Sequence, residues 1–491
     1  MLIYLNFINR FVLLFAMCLL AVQIASAQRT TASTTPTTQQ IVSKVDEYMN
    51  AAVKNYHYSG SILVTLNGLP IVKKSYGMAN YELNVPNTSQ TRFRIASITK
   101  QFTAMAVIIL KERGKLNVTD SICKYLENCP AAWQPITIRN LLTHTSGIPN
   151  FRAMPRYAEF ASDQRFTYTG FVDVFRDAPL QFTPGERYAY SNSGYFLLGL
   201  IIERVSGQSY AEFLRDNIFT PLGMKNSGYD DSRRLVPNRA SGYIWNGTSF
   251  VNAPYINMVI PFAAGALYST IEDLLIWDQA LYAEKLVSRK SLEEMYTPFR
   301  GEYGYGVEIS TRFNRQRIRH SGGINGFSND FARFPVERVT VIVLGNNESA
   351  PSDNINNSLA AIVFGESYQM PIASIRDVLL ETIDQKGVEA AVKQYRELKR
   401  TQAENYDFRE FVLNLTGYDL LAAKKVKEAI EIFKLNVEAY PQSANTYDSL
   451  AEAYMLNGNK ELAIKNYEKS LELNPQNRNA ADYLKKLKSS N

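Results

Sequence analysis

The stretch Ser97-Ile98-Thr99-Lys100 decides how the rest of this chain is interpreted. The residues after it combine helix formers with an apolar stripe, and Gly114 follows, so a helix is predicted to begin at Ser97 and to end before the glycine. Residues three apart on a helix share a face, which places the Lys100 amine beside the Ser97 hydroxyl. A lysine desolvated there loses its proton more readily and can take the serine proton. The pair therefore predicts a nucleophilic serine.

A second copy of this spacing, Ser121-x-x-Lys124, shows that the pattern alone does not identify a catalytic pair. It lies in a short segment bounded by Asn117 and Pro130, with no long apolar helix after it. The predicted role of this copy is a helix cap followed by a solvated lysine. The first copy is preferred because it opens a long apolar helix.

Tyr190-x-Asn192 offers the second proton carrier that a Ser–Lys pair needs for acyl transfer. It follows a Pro-Gly turn and precedes an apolar helix predicted for residues 196–205. A tyrosinate near Lys100 would relay the proton to a leaving group, and the Asn192 amide would hold the lysine and the substrate. The same pattern recurs at Tyr48, which lies inside a predicted helix before Ser97, and at Tyr255, which is the reserve choice for this role.

The segment His320-Ser321-Gly322-Gly323 is the third candidate piece of a site. Its glycines let a substrate approach the backbone closely, and the Gly323 amide can pair with that of Ser97 as an oxyanion hole. The other interpretation is a surface histidine in a glycine-rich turn. The segment by itself leaves both open.

In this order, the three motifs resemble those of the serine β-lactamase and penicillin-binding-protein-like family. The most similar branch carries Tyr-x-Asn and contains class C β-lactamases, D-alanyl-D-alanine carboxypeptidases, D-aminopeptidases and esterases. Flanking segments at 93–104, 141–147 and 265–270 are also similar to it. The resemblance implies a cofactor-free serine hydrolase that forms an acyl-enzyme from small ester, amide, D-amino-acid peptide or β-lactam substrates. It implies these roles: Ser97 as nucleophile, Lys100 and Tyr190 as proton-transfer pair, Asn192 as positioner, and the Ser97 and Gly323 amides as oxyanion hole.

One departure from the family pattern concerns the substrate. Class C β-lactamases carry Lys-Thr-Gly where this chain has His320-Ser321-Gly322. A neutral imidazole attracts a carboxylate less constantly than a lysine does, so neutral esters or amides are expected to be preferred over β-lactams near neutral pH. The alternative function is a non-catalytic sensor or scaffold that resembles penicillin-binding proteins and binds a protein partner through its repeats.

The predicted fold class is α+β. Strands at both ends of residues 41–366, with helices between them, indicate one antiparallel sheet shared by the two ends and a helical domain. The predicted strands are 61–66, 70–76, 304–309 and 339–345, and the predicted helices include 41–55, 269–281 with a cap at Ser269, and 355–364.

Residues 371–491 are predicted to form an all-α tetratricopeptide-like repeat. Pro441 and Pro475 are 34 residues apart, and the pairs Ala429/Ala463 and Phe433/Tyr467 keep the same spacing. Residues 391–395 echo the pattern as a degenerate first repeat. Such an array can hold a protein or peptide partner, and a helical array without a partner fits the same period.

The first 27 residues have the pattern of a secretory signal peptide: a positive front, an apolar run at 11–22 and a small-residue cleavage site. Residues 28–40 then read as a flexible linker. A periplasmic or extracellular location is expected, with no transmembrane helix after signal cleavage because no later segment is long and apolar enough.

The composition and the spacing of the histidines argue against two other functional classes, nucleic-acid-binding proteins and metalloproteins. The net charge of +6 on 491 residues, without a basic run among aromatics, argues against nucleic-acid binding. The histidines His57, His144 and His320 have no ligand spacing, so no metal site is expected. After export, Cys123 and Cys129 would form a small disulfide loop or remain two half-buried thiols, and both interpretations stay open.

Overall fold

The computed structural model describes residues 36–157, 160 and 168–489. The predicted signal peptide and residues 28–35 of the predicted linker lie outside this part of the chain. The last three linker residues are helical, because the first helix begins at Thr38 with Thr37 as its cap.

A six-stranded antiparallel sheet carries the fold, with the strand order β10-β11-β12-β13-β1-β2. The strands Gly60–Leu66 and Val339–Gly345 are neighbours in it, which confirms one antiparallel sheet shared by the two ends of the N-terminal part. In chain order the strands are β1 (Gly60–Leu66), β2 (Leu69–Tyr76), β3 (Met78–Asn80), β4 (Val85–Pro86), β5 (Phe93–Arg94), β6 (Gly228–Tyr229), β7 (Tyr243–Trp245), β8 (Phe250–Asn252), β9 (Leu267–Ser269), β10 (Glu308–Arg312), β11 (Arg315–Ile324), β12 (Phe327–Phe334), β13 (Val339–Gly345), β14 (Ala373–Ser374) and β15 (Tyr406–Asp407).

Helices cover both faces of this sheet and form the C-terminal part except for the short parallel pair β14 and β15. None of those in the described ranges is long and apolar enough to cross a membrane. In chain order they are α1 (Thr38–Asn55), α2 (Thr99–Glu112), α3 (Ile138–Leu142), α4 (Tyr168–Val172), α5 (Asn192–Ser206), α6 (Tyr210–Leu214), α7 (Thr220–Leu222), α8 (Phe262–Gly265), α9 (Ile271–Ala280), α10 (Arg289–Met295), α11 (Ser352–Phe364), α12 (Ile375–Lys386), α13 (Val388–Thr401), α14 (Glu410–Ala422), α15 (Val426–Ala439), α16 (Ala444–Leu456), α17 (Lys460–Leu473) and α18 (Arg478–Ser489).

The sheet separates two hydrophobic cores. On one face, Ile62 and Val343 pack against Ile41 of α1 and Leu359 of α11. The other face carries the larger core, in which Leu63, Ile342 and Leu344 join the side chains of α2 and α5. Alternate residues of a strand point to opposite faces, so the short apolar runs 62–64 in β1 and 341–344 in β13 follow from this two-sided burial.

Four details of the predicted secondary structure were wrong. The helix predicted to begin at Ser97 begins at Thr99, and Ser97 lies in the 3-10 turn Ala96–Ile98 that leads into it. The strand predicted for 304–309 begins only at Glu308, and strands β11 and β12 were not predicted. Their arginines and glycines give little strand propensity, but pairing along the sheet and burial of alternate β11 residues override it. The cap of α9 is Thr270, which accepts a hydrogen bond from the Asp273 amide, and not Ser269.

A polar cluster is one of the contacts between the helical repeats and the rest of the protein; another is the hydrogen bond from Asn55 Nδ2 to the Pro371 carbonyl at 2.7 Å. Asp377 of α12 accepts a hydrogen bond from Trp245 Nε1 at 3.1 Å and lies 2.8 Å from His57 Nε2. The His57 and Trp245 rings stack with centroids 3.7 Å apart. This cluster fixes the first repeat helix against the end of α1 and strand β7.

Candidate active site

The start of α2 is held by backbone contacts on two sides. Ile95 donates its amide to the Leu267 carbonyl of β9. Ala96 has a φ of +48°, so a non-glycine residue in the left-handed region directly precedes Ser97. A Cβ on Gly322 would lie 2.2 Å from the Ile95 oxygen. Only glycine therefore allows β11 to approach the turn before Ser97 this closely.

Lys100 is buried directly beside Ser97. Its Nζ lies 3.0 Å from Ser97 Oγ and donates to Asn192 Oδ1 at 2.9 Å and to the Ala264 carbonyl at 2.7 Å. Burial lowers the pKa of Lys100 well below its usual value, and the charge of Arg152 lowers it further. The direction of this shift favours the neutral amine, which can accept the Ser97 proton.

Tyr190 contacts the same hydroxyl from another side, donating from its Oη to Ser97 Oγ at 3.0 Å. Burial raises the pKa of Tyr190, although its hydrogen bond with Ser97 acts in the opposite direction. A tyrosinate at this position is predicted from the sequence, but the direction of this pKa shift favours a protonated phenol at rest.

His320 lies in strand β11 with only 2% of its surface exposed, so the alternative of a surface histidine in a turn is wrong. Its Nδ1 lies 2.6 Å from the Ser321 carbonyl, which can only accept, and its Nε2 lies 2.9 Å from Tyr303 Oη. Nδ1 is therefore the protonated nitrogen, and Nε2 accepts from the tyrosine. Burial, followed by the charge of Lys100, lowers the pKa of His320 to about 3, so the ring is neutral near pH 7.

A cleft of about 430 Å³ opens beside Ser97. Gly323 borders it, and a Cβ at that glycine would meet no atom within 4 Å. Ser321, two residues before Gly323, pairs with Asp330 in the sheet. The lining residues are Ala96, Ser97, Phe151, Arg152, Tyr157, Asn192, Ile256, Ile260, Pro261, Ala264, Gly265, Gly323, Ile324 and Asn325.

The competing motifs lie elsewhere. Ser121 caps a short 3-10 turn by accepting from the Cys123 amide, and Lys124 pairs with Asp120 at the surface, which confirms the predicted cap and solvated lysine. Tyr255 is 47% exposed and does not line the cleft. Cys123 is joined to Cys129 by a disulfide in this structure.

Three residues near the site were not predicted from sequence. His144 accepts a hydrogen bond from the Ser191 amide at its Nδ1, 3.1 Å away, and its ring lies 4.3 Å from that of Tyr190. Tyr303 contacts His320, and Arg152 lines the cleft. Of these three residues, His144 alone lies in a segment, 141–147, whose similarity to the family could have marked it as close to the site. Within the described ranges, no three His, Cys, Asp or Glu residues are placed to hold a metal ion.

The fold and this arrangement define the class of protein. The profile of the beta-lactamase family matches residues 45–363, and that of the tetratricopeptide repeat matches residues 444–477. The chain therefore belongs to the beta-lactamase family and carries tetratricopeptide repeats at its C-terminal end.

Particular relatives share the N-terminal part. The chain is 33% identical to penicillin-binding protein 4* of Bacillus subtilis over 342 residues, which are 65% of this chain and 75% of that protein. It is similar to the crystal structure of a penicillin-binding protein from Bacillus halodurans at 30% identity, with a TM-score of 0.59 over 64% of this chain and 99% of the other. It is also similar to D-amino acid amidase from Ochrobactrum anthropi at 26% identity, with a TM-score of 0.55 over 65% and 97% of the two chains.

Proposed function

We propose that the protein is an exported serine hydrolase that forms an acyl-enzyme on Ser97 from ester or amide substrates. The observation that carries the proposal is the convergence on one hydroxyl: Lys100 Nζ and Tyr190 Oη each lie 3.0 Å from Ser97 Oγ. A nucleophile with a base and a proton donor in hydrogen-bond reach is the minimum set for acyl transfer.

In the proposed acylation step, Ser97 Oγ attacks the substrate carbonyl carbon while its proton passes to Lys100. The amides of Ser97 and Gly323 receive the oxyanion, and Asn192 holds the amine in place. Tyr190 gives its proton to the leaving oxygen or nitrogen as that bond breaks, and the proton held by Lys100 then restores the phenol. Water then attacks the acyl carbonyl carbon and gives up a proton to the same pair of residues. Ser97 Oγ leaves and takes a proton back, and the acid product is released.

The proposed organisation follows the composition of the chain: a signal peptide at 1–27, a linker at 28–40, the hydrolase at 41–366 and the repeats at 371–491. The apolar run of the first segment supports a periplasmic or extracellular location. We assign the repeats to the binding of a protein or peptide partner, which is the general use of such arrays.

A fluorophosphonate probe tests the proposal directly, because it phosphonylates a serine only where that serine is activated. We expect one adduct, on the peptide that contains Ser97, by tandem mass spectrometry. A non-catalytic sensor would stay unlabelled at Ser97 under conditions that label a known serine hydrolase, and that result would reject the proposal in favour of the sensor.

A second test concerns the expected preference for esters and amides over β-lactams. His320 is neutral and takes the place of a lysine in related enzymes, so replacing it by lysine should raise kcat/KM for a cephalosporin relative to a short acyl ester, by about tenfold for one added charged contact. The neutral replacement His320→Gln is the matched control and should leave the ratio near the wild-type value. A wild-type enzyme that already hydrolyses the cephalosporin faster than the ester at pH 7.5 would contradict the preference.

A further inference from the structure

Arg152 is the one cation among the residues that line the cleft beside Ser97, and none of those lining residues is acidic. The residue is exposed and follows Phe151, which is buried. Within the described ranges, no side-chain hydrogen bond or salt bridge engages its guanidinium. An arginine that lines a substrate cleft without a partner retains its five donors for a bound group.

The loop that carries Arg152 is fixed with respect to the catalytic residues. Asn150 Oδ1 accepts from the Arg152 amide at 3.3 Å and lies 3.4 Å from Asn192 Nδ2. Asn192 in turn accepts from Lys100. A short chain of hydrogen bonds therefore sets the distance between the arginine and the reacting serine.

The cleft faces the part of a substrate that remains on Ser97. The leaving group must lie next to Tyr190, which donates its proton in the proposed mechanism, and neither Tyr190 nor His320 is among the cleft's lining residues. Besides Arg152, the walls of the cleft combine the apolar side chains of Phe151, Ile256 and Ile260 with polar groups such as the Asn325 amide. Apolar side chains together with one cation suit an acyl chain that carries one negative charge.

We propose that Arg152 binds a carboxylate on the acyl portion of the substrate, so that the enzyme prefers esters or amides of dicarboxylic acids or of similar acidic acyl groups. The inference rests on the proposed hydrolase function and deepens it. It is compatible with a neutral His320, because His320 lies near the leaving-group side and Arg152 borders the acyl side. A planar guanidinium and a carboxylate form two parallel hydrogen bonds, so Arg152 would bind a carboxylate in a defined orientation.

The test compares two esters with the same leaving group: the 4-nitrophenyl monoester of glutaric acid and 4-nitrophenyl pentanoate, which has the same chain length and no charge. We expect wild type to show a higher kcat/KM for the glutarate. Arg152→Gln should lower the ratio of kcat/KM for the glutarate to kcat/KM for the pentanoate by about three- to tenfold. This range corresponds to a free energy between that of an exposed ion pair and that of a hydrogen bond to a charged group. Added salt should lower the wild-type ratio and have little effect on the ratio in the variant.

The matched control is Arg187→Gln, which removes the same charge from the segment that carries Tyr190. The Arg187 guanidinium stacks on the Phe182 ring at 4.2 Å and does not line the cleft, so the ratio should stay at its wild-type value. Equal ratios in wild type and Arg152→Gln, or an equal fall in both variants, would overturn the role of Arg152 and leave the hydrolase proposal standing. If wild type hydrolyses neither ester, both proposals fail.

Discussion

Replacing Ser97 by alanine is expected to abolish hydrolysis of activated esters, with turnover reduced at least about 10³-fold, since removal of the serine nucleophile in subtilisin costs on the order of 10⁶ in kcat. No other hydroxyl is held between Lys100 Nζ and Tyr190 Oη in the described part of the chain. Lys100 keeps its contacts with Asn192 and Ala264 in the variant, so the protein should remain folded. Ester turnover and the thermal unfolding midpoint are the two measurements.

Ser121→Ala is the matched control, because Ser121 belongs to the second Ser-x-x-Lys copy. Its hydroxyl caps a 3-10 turn and donates to the Gln134 carbonyl, so its loss should cost about 1 kcal/mol of stability and leave turnover unchanged. Turnover within tenfold of wild type in Ser97→Ala would refute the assignment of the nucleophile.

Replacing Tyr190 by phenylalanine should lower turnover of an amide substrate by about 10²–10⁴-fold, the usual contribution of a placed proton-transfer group. The ring is retained, so its packing against His144 and Lys100 is retained as well. Only the proton donor is lost. The loss should be smaller for a 4-nitrophenyl ester, because a nitrophenolate leaves without needing a proton. The measurement is kcat for both substrates at one pH.

Tyr255→Phe tests the reserve Tyr-x-Asn copy in the same assay and should retain wild-type turnover, because its side chain is exposed and lies outside the cleft. A reversed result, with the amide activity lost in Tyr255→Phe and kept in Tyr190→Phe, would mean that the proton donor has been misassigned.

The sequence allowed the fold class to be predicted because local signals marked its central parts. The Asn67-Gly68 turn has φ values of 53° and 77°, which the type I′ hairpin requires, so the pairing of β1 with β2 was readable from two residues. The β13 strand was equally clear as an apolar run. Strand β11 carried no such signal, since its pairing in the sheet is a property of the assembled fold.

The choice between repeated motifs depended on geometry for a similar reason. Spacing alone makes Tyr190 and Tyr255 equivalent, and only the fold brings one of them to Ser97. No sequence pattern marks Arg152, because a single arginine in a loop can be linked to a binding site only when the cleft that it lines is known. The neutral state of His320 likewise follows from burial beside Lys100, which a linear pattern does not contain.

The order of strands in the sheet has a consequence for biosynthesis. Gly60 pairs with Gly345 and Val64 with Val341, so the neighbouring strands β1 and β13 are separated in sequence by nearly the whole N-terminal part of the chain. Pairings between such distant segments form slowly, because loop-closure entropy is lost before the contacts are gained. While the ribosome has not yet reached β13, the apolar β1 has one unpaired edge, which is prone to associate with other chains. The nascent protein therefore depends on whatever holds it unfolded until residue 345 has been made.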